Sequence, residues 1–193
     1  MRFKDIHGLA PTKAMLLSGI RNNHVAHAQL FTGRPGSPAL SLALAYATYL
    51  NCENPGDEDA CGQCPSCAKN QKFVHPDVHF IFPVSSTKNV AAKDASSRLF
   101  LKEWREFLLT TPYGSLQDWS TLYGGEDKQA LISTKEKQTI TNDLSLKAFE
   151  GKYKIMLIWL PELMHPNAAN GILKVLEEPP ENSVFLLVSE QPD

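Results

Sequence analysis

Apolar positions along the chain fall into runs of two kinds, helical and strand-like, and the two alternate. Leu9, Met15, Leu16 and Ile20 recur at helical spacing, which predicts a first helix over 9–22 with Thr12 as its cap. Ala28-Gln29-Leu30-Phe31-Thr32 is a short apolar run stopped by Gly33 and reads as a buried strand. Ser37-Pro38 supplies an N-cap followed by proline at the first helical position, opening a helix that runs to Leu50. Val78-His79-Phe80-Ile81-Phe82 predicts a second strand, ended by Pro83.

The polar segment 85–97 is expected to be a mobile loop. Over 99–109, Leu101, Trp104 and Leu108 share one face while Lys102, Glu103, Arg105 and Glu106 share the other, an amphipathic helix. Tyr113 to Gln129, with Gly124-Gly125, has loop chemistry. A helical stretch then runs from Ile132 through Ile140, Leu144 and Phe149 and is closed by Gly151. The strongest strand signal is Lys154–Leu160. Asn167–Glu178 predicts a helix with Ala169, Ile172, Leu173 and Leu176 on one face, ended by Pro179-Pro180, and Val184–Val188 a last strand. Strands alternating with helices imply an α/β fold, a parallel sheet covered on both faces.

Composition narrows the class. Of 193 residues 42% are hydrophobic and 21% charged, a globular balance too apolar for disorder. The net charge of -2 gives no electrostatic footprint for an independent nucleic-acid binder. Met1-Arg2-Phe3-Lys4-Asp5 carries no apolar export segment. Pro35–Cys52 is uncharged, but its prolines, Gly36, Ser41, Thr48 and Asn51 mark it as a buried helix of a soluble protein and not a membrane span.

Two constellations carry chemistry. Cys52, Cys61, Cys64 and Cys67 follow the spacing C-x8-C-x2-C-x2-C, which lets four thiolates surround one Zn²⁺. Disulfides and a redox C-x2-C pair are the rivals; the first would crowd two bridges into a short loop, and the second needs only two of the four. A full cysteine shell leaves no open position, so such a metal is structural. Gly33-Arg34-Pro35-Gly36-Ser37-Pro38-Ala39-Leu40 stands between strand and helix where a phosphate-binding loop, G-x-x-x-x-G-K-[ST], would stand. Pro38 removes a backbone N–H from the cradle, Ala39 replaces the cation and Leu40 replaces the Mg²⁺ ligand. Trp104, Trp119 and Trp159 read as packing residues, and the six histidines are scattered.

Strand 154–158 with the segment Asn167-Ala168-Ala169-Asn170-Gly171-Ile172-Leu173-Lys174-Val175-Leu176-Glu177-Glu178-Pro179-Pro180-Glu181 resembles the clamp-loader branch of the AAA+ proteins. So does His27-Ala28-Gln29-Leu30-Phe31-Thr32-Gly33 leading into the loop, and so does the cysteine cluster after the next helix. The likeness covers 5–67, 75–83 and 133–193, and 84–132 reads as an insertion. It implies an AAA+ (P-loop NTPase-like) parallel sheet flanked by helices, a single N-terminal domain over 1–193 with an inserted zinc module at 52–67. Lid and C-terminal collar domains, and the Ser-Arg-Cys motif that presents an arginine finger, are expected beyond Asp193.

Active members of that family end their Walker B strand with acidic residues that hold Mg²⁺. Those positions here are Trp159 and Leu160, with Glu162 two residues late. Ser189 lies near the position of sensor 1. The degenerate nucleotide site therefore comprises Gly33, Gly36, Ser37, Pro38, Ala39, Leu40, Trp159 and Leu160, and no ATP or Mg²⁺ is expected in it. The pattern implies a non-catalytic, delta-prime-type subunit of a bacterial DNA polymerase III clamp loader, not an enzyme by itself. Its implied partners are the delta and gamma/tau subunits, with the sliding clamp and primer-template DNA reached through the complex, in the cytoplasm and away from any membrane. The alternatives are an ATP-hydrolysing subunit of gamma/tau type and a free zinc module with no part in replication.

Overall fold

The computed structural model describes residues 1–191. Four parallel strands, β1 (Ala28–Thr32), β2 (Val78–Ile81), β3 (Lys154–Trp159) and β4 (Ser183–Ser189), lie in the order β1-β4-β3-β2. Parallel pairing forces crossovers, and the helices that make them cover both faces. Alternation along each strand divides the core in two. Ile155, Leu157 and Trp159 of β3, with Val184, Leu186 and Val188 of β4, face one layer; Met156, Ile158 and Phe185 face the other.

The first layer holds α1 (Ala10–Arg21), α2 (Ala39–Leu50), α3 (Pro65–Gln71), α4 (Leu101–Thr110) and α5 (Leu116–Tyr123). The second holds α6 (Lys135–Ser145) and α7 (Pro166–Glu177). α2 is buried from Leu40 to Leu50, which is why its sequence carries no charged face. No helix among the described residues is long and apolar enough to cross a membrane.

Several elements depart from the sequence reading. β1 is not buried: only Phe31 is enclosed, because β1 is an edge strand. α1 begins after Leu9 in a left-handed conformation, and Thr12 lies inside the helix without capping it. α2 starts one residue late, with Pro38 in the cap position and Ser37 outside it. β2 ends at Ile81 and β3 at Trp159. The segment 85–97 is anchored, since Ser85 N donates to Tyr123 Oη at 3.0 Å and Ser97 N to the buried Glu136 at 2.6 Å.

Within 113–129 the chain forms α5. Ser115 and Asp118 build a reciprocal capping box at its start, and Gly124 closes it at φ 78°. α6 is shorter than the apolar spacing suggests. After Ser145 the chain leaves the helix because Asp77 captures it, accepting from the N–H groups of Phe149 at 2.6 Å, Glu150 at 2.8 Å and Gly151 at 2.7 Å. On α7 the inward face is Ala168 and Ile172, while Leu173 points outward at 49% exposure.

The segment 84–132 is closed on itself. Val84 and Leu131 exchange two backbone hydrogen bonds of 3.1 and 3.0 Å. Between those ends α4 and α5 supply Trp104, Phe107 and Trp119, all fully buried. Phe82 stacks on Trp104 at 4.2 Å, Trp104 and Phe107 lie 5.2 and 5.6 Å from Trp159, and Trp119 Nε1 donates to Pro83 O at 2.8 Å. All three tryptophans are packing residues.

Candidate metal centre and nucleotide loop

The two constellations sit at opposite ends of α2. Past its C-terminal end comes Cys52, then a loop that carries Cys61 and Cys64, then α3 with Cys67 in its first turn. The four Sγ atoms lie within 4.8 Å of one another, with Cys52–Cys67 at 3.6 Å and Cys61–Cys67 at 3.9 Å. Four sulfurs bonded tetrahedrally to Zn²⁺ at about 2.3 Å would stand about 3.8 Å apart. No disulfide joins them.

Backbone amides are arranged around these sulfurs as donors. Cys61 N donates to Cys52 Sγ at 3.3 Å, Gln63 N and Cys64 N to Cys61 Sγ at 3.4 Å, and Cys67 N to Cys64 Sγ at 3.4 Å. Such donors favour thiolate over thiol. The amides of Gln63 and Cys64 pull the Cys61 thiol down to about 6. Burial pushes Cys67 and Cys52 up. A cation among them would remove that penalty, so the donor set fits a metal held by thiolates.

The turn between Cys61 and Cys64 requires Gly62, at φ 73°. Asp59 ties the loop to the N-terminus: its carboxylate accepts from Phe3 N at 3.0 Å, Lys4 N at 2.9 Å and Ala60 N at 2.8 Å. Asp59 was not legible as an anchor of this loop, because two of its three partners, the amides of Phe3 and Lys4, are distant in sequence.

At the other end of α2, Gly33, Gly36, Ser37, Ala39, Leu40 and Trp159 line one shared space with Val188, Ser189 and Glu190. Pro38 forms the helix cap beside them. Leu160 is apart, buried at φ 55° with its N–H bonded to Val188 O at 2.8 Å. The N–H of Gly33 donates to Ser189 O at 3.1 Å and that of Ser37 to Arg34 O at 2.9 Å. A Cβ at Gly33 would stand 2.1 Å from Ser37 Oγ, so the Ser37 side chain fills the inside of the loop.

Sequence reasoning missed Pro112, Tyr113 and Gly114, the turn from α4 to α5, which lines the same space. On this side the cavity is about 10 Å³, while on the side facing α1 a cavity of about 630 Å³ is lined by Thr32, Ser37, Pro38 and Ala39 with Leu9, Thr12 and Met15. Glu162 is tied locally, accepting from Glu190 N at 2.8 Å, and the Glu190 carboxyl is raised by burial and by the Glu162 charge.

Residues 9–193 match the family described as DNA polymerase III, delta subunit. The DNA polymerase III subunit delta' of Bacillus subtilis is 26% identical over 98% of this chain, which spans 44% of that protein. The tau/gamma subunit of Haemophilus influenzae is also 26% identical over 98% of the chain, which here spans 21% of the relative. A DNA polymerase III gamma subunit-related protein of Thermotoga maritima superposes with a TM-score of 0.49 at 17% identity, over 91% of this chain and 39% of its own. The chain thus spans less than half the length of these relatives. With a family match over nearly its whole length, it belongs to the DNA polymerase III delta subunit family and is delta-prime-like.

Proposed function

We propose that the chain is the N-terminal AAA+ part of a non-hydrolysing clamp-loader subunit of delta-prime type, with segment 84–132 as an insertion and a structural Zn²⁺ on Cys52, Cys61, Cys64 and Cys67. It would act in the cytoplasm with delta and gamma/tau subunits, reaching the sliding clamp and primer-template DNA through them. The observation that carries this reading is the loop at the N-terminal end of α2. Pro38, Ala39 and Leu40 stand where a backbone N–H hydrogen-bond donor, a cation and a metal ligand would be needed, and Trp159 closes β3 inside an aromatic cluster. Phosphoryl transfer depends on positioned charge, and removing it costs several kcal/mol of transition-state stabilisation.

The zinc supplies no chemistry here; it cross-links the 52–67 loop to α3. One observation favours a second reading, the equal identity to a tau/gamma subunit, which would make the chain a hydrolase. Phosphate release by the protein separates the two, together with a pull-down against the other loader subunits. Capture without phosphate release supports the proposal; steady release on MgATP would assign the gamma/tau type.

A further inference from the structure

β2 is the second edge of the sheet, with β3 on one side and no strand among the described residues on the other. In this parallel pairing Ile155 N donates to Asp77 O at 2.8 Å, so the odd-numbered residues of β2 turn their backbone groups toward β3. The even-numbered ones turn theirs away. Val78 N is taken by His75 O at 3.1 Å, but Val78 O and both backbone groups of Phe80 have no hydrogen-bond partner among the described residues. Such an edge is a template for another strand.

The edge lies at the bottom of a groove of about 470 Å³, inside the ~300–1,000 Å³ range of ligand pockets. One wall is the turn Ser97–Phe100 with α4, which present Arg98, Leu101 and Arg105. The other is α6, which presents Thr139 and Asp143. Side chains of a strand alternate between faces, so a chain laid along β2 would point successive residues at the two walls. The groove shares no residue with the nucleotide loop or the cysteine cluster.

The walls differ in charge. Arg98 reaches across the groove to pair with Asp143, which also faces His79 Nδ1 at 3.3 Å. Arg105 has no carboxylate. Its Nε donates to Phe73 O at 3.1 Å, and its terminal nitrogens have no partner among the described residues. A half-buried guanidinium with free donors, set beside an open strand edge, suits a carboxylate carried on an extended chain.

We propose that this groove binds an extended, acidic peptide segment of a partner protein by strand addition. The peptide backbone pairs with Phe80 and Val78, and acidic side chains on its α4-facing side meet Arg105 and Arg98. Nucleic acid fits less well: a DNA backbone offers acceptors only, with no donor for Phe80 O, and Asp143 repels phosphate.

The probe is a fluorescein-labelled hexapeptide of alternating Glu and Thr, titrated into the 193-residue chain and followed by anisotropy. Two matched peptides separate the contributions, one with Lys in place of Glu and one with N-methylated amides, which keeps the charges and cannot pair. Both are expected to bind at least about tenfold more weakly. Arg105→Gln, in protein that still unfolds cooperatively, should weaken the acidic peptide by a similar factor. Arg98→Gln probes the same wall without touching the bond to Phe73 O and should act in the same direction. With the unaltered chain saturated by peptide, the Phe80 amide should exchange at least about tenfold more slowly.

No saturable binding up to about 1 mM peptide, equal binding of the methylated peptide, or unchanged exchange at Phe80 overturns the proposal. Binding of single-stranded oligothymidylate that Arg105→Gln abolishes, with no peptide binding, overturns it too and assigns the groove to nucleic acid.

Discussion

The two ends of α2 are built from the same materials, a tight turn with a positive-φ glycine and a set of backbone amides, yet they do opposite things. At the cysteine end the amides of residues 61, 63, 64 and 67 donate to sulfur, and four ligand atoms converge on one point. At the loop end the amides of Gly33 and Ser37 donate to the chain's own carbonyls, and Ala39 and Leu40 bring no charge or metal ligand. The difference is convergence: four ligand atoms meet at one point in the first, and no such set of side chains meets in the second.

The comparison breaks most readily at the metal. One Zn²⁺ per chain is expected by elemental analysis, and Cys67→Ser should abolish it. Structural zinc contributes roughly 10 kcal/mol or more of apparent binding energy, so the loss should unfold the 52–67 loop and lower the thermal midpoint sharply. A metal-free chain with an unchanged midpoint would contradict the assignment.

The aromatic cluster around Trp104 comes next. Trp104→Ala removes a fully buried ring in contact with Phe82, Phe107, Trp119 and Trp159, and should cost about 3–5 kcal/mol in urea unfolding. A loss below about 1 kcal/mol would mean that α4 is not held by this cluster.

A smaller effect is expected at Asp77. Burial alone would raise its carboxyl, but the N–H donors of Glu150, Phe149 and Gly151 outweigh it and the pKa ends below the usual carboxylate value. A depressed folded pKa stabilises the protein above the unfolded value of 3.8, and that contribution disappears as pH falls below it through the folded pKa. Asp77→Asn should therefore lose about 1–3 kcal/mol at neutral pH and show a flatter decline in acid. Parallel acid curves for the two proteins would remove Asp77 from the account.

The smallest effect sharpens the other half of the comparison. Ala39→Lys by itself should leave stability within about 0.5 kcal/mol and confer no MgATP binding, because Pro38 and Trp159 remain. Binding measured by calorimetry is the check.

Much of this was legible in the sequence, and the failures share a cause. β3, β4 and the helix over 39–50 were readable because burial on both faces, or all round, leaves an unbroken apolar run. The cysteine cluster was readable because its spacing is local. The end of α6 was not, since the apolar spacing continues to Phe149 and only Asp77, far away in sequence, ends the helix. α5 was missed although Ser115 and Asp118 spell a capping box, because the glycines after it outweighed the signal. The turn Pro112–Gly114 could not be read as a neighbour of the loop: it is an ordinary turn until tertiary packing sets it there.

The most direct test of the central claim, a loop end of α2 that takes no nucleotide and a cysteine end that holds a metal, is a calorimetric titration of MgATP into the zinc-loaded protein. No binding heat up to about 1 mM nucleotide, with one zinc retained per chain, is the expected result, leaving affinity weaker than about 4 kcal/mol. A saturable isotherm at micromolar MgATP would contradict it.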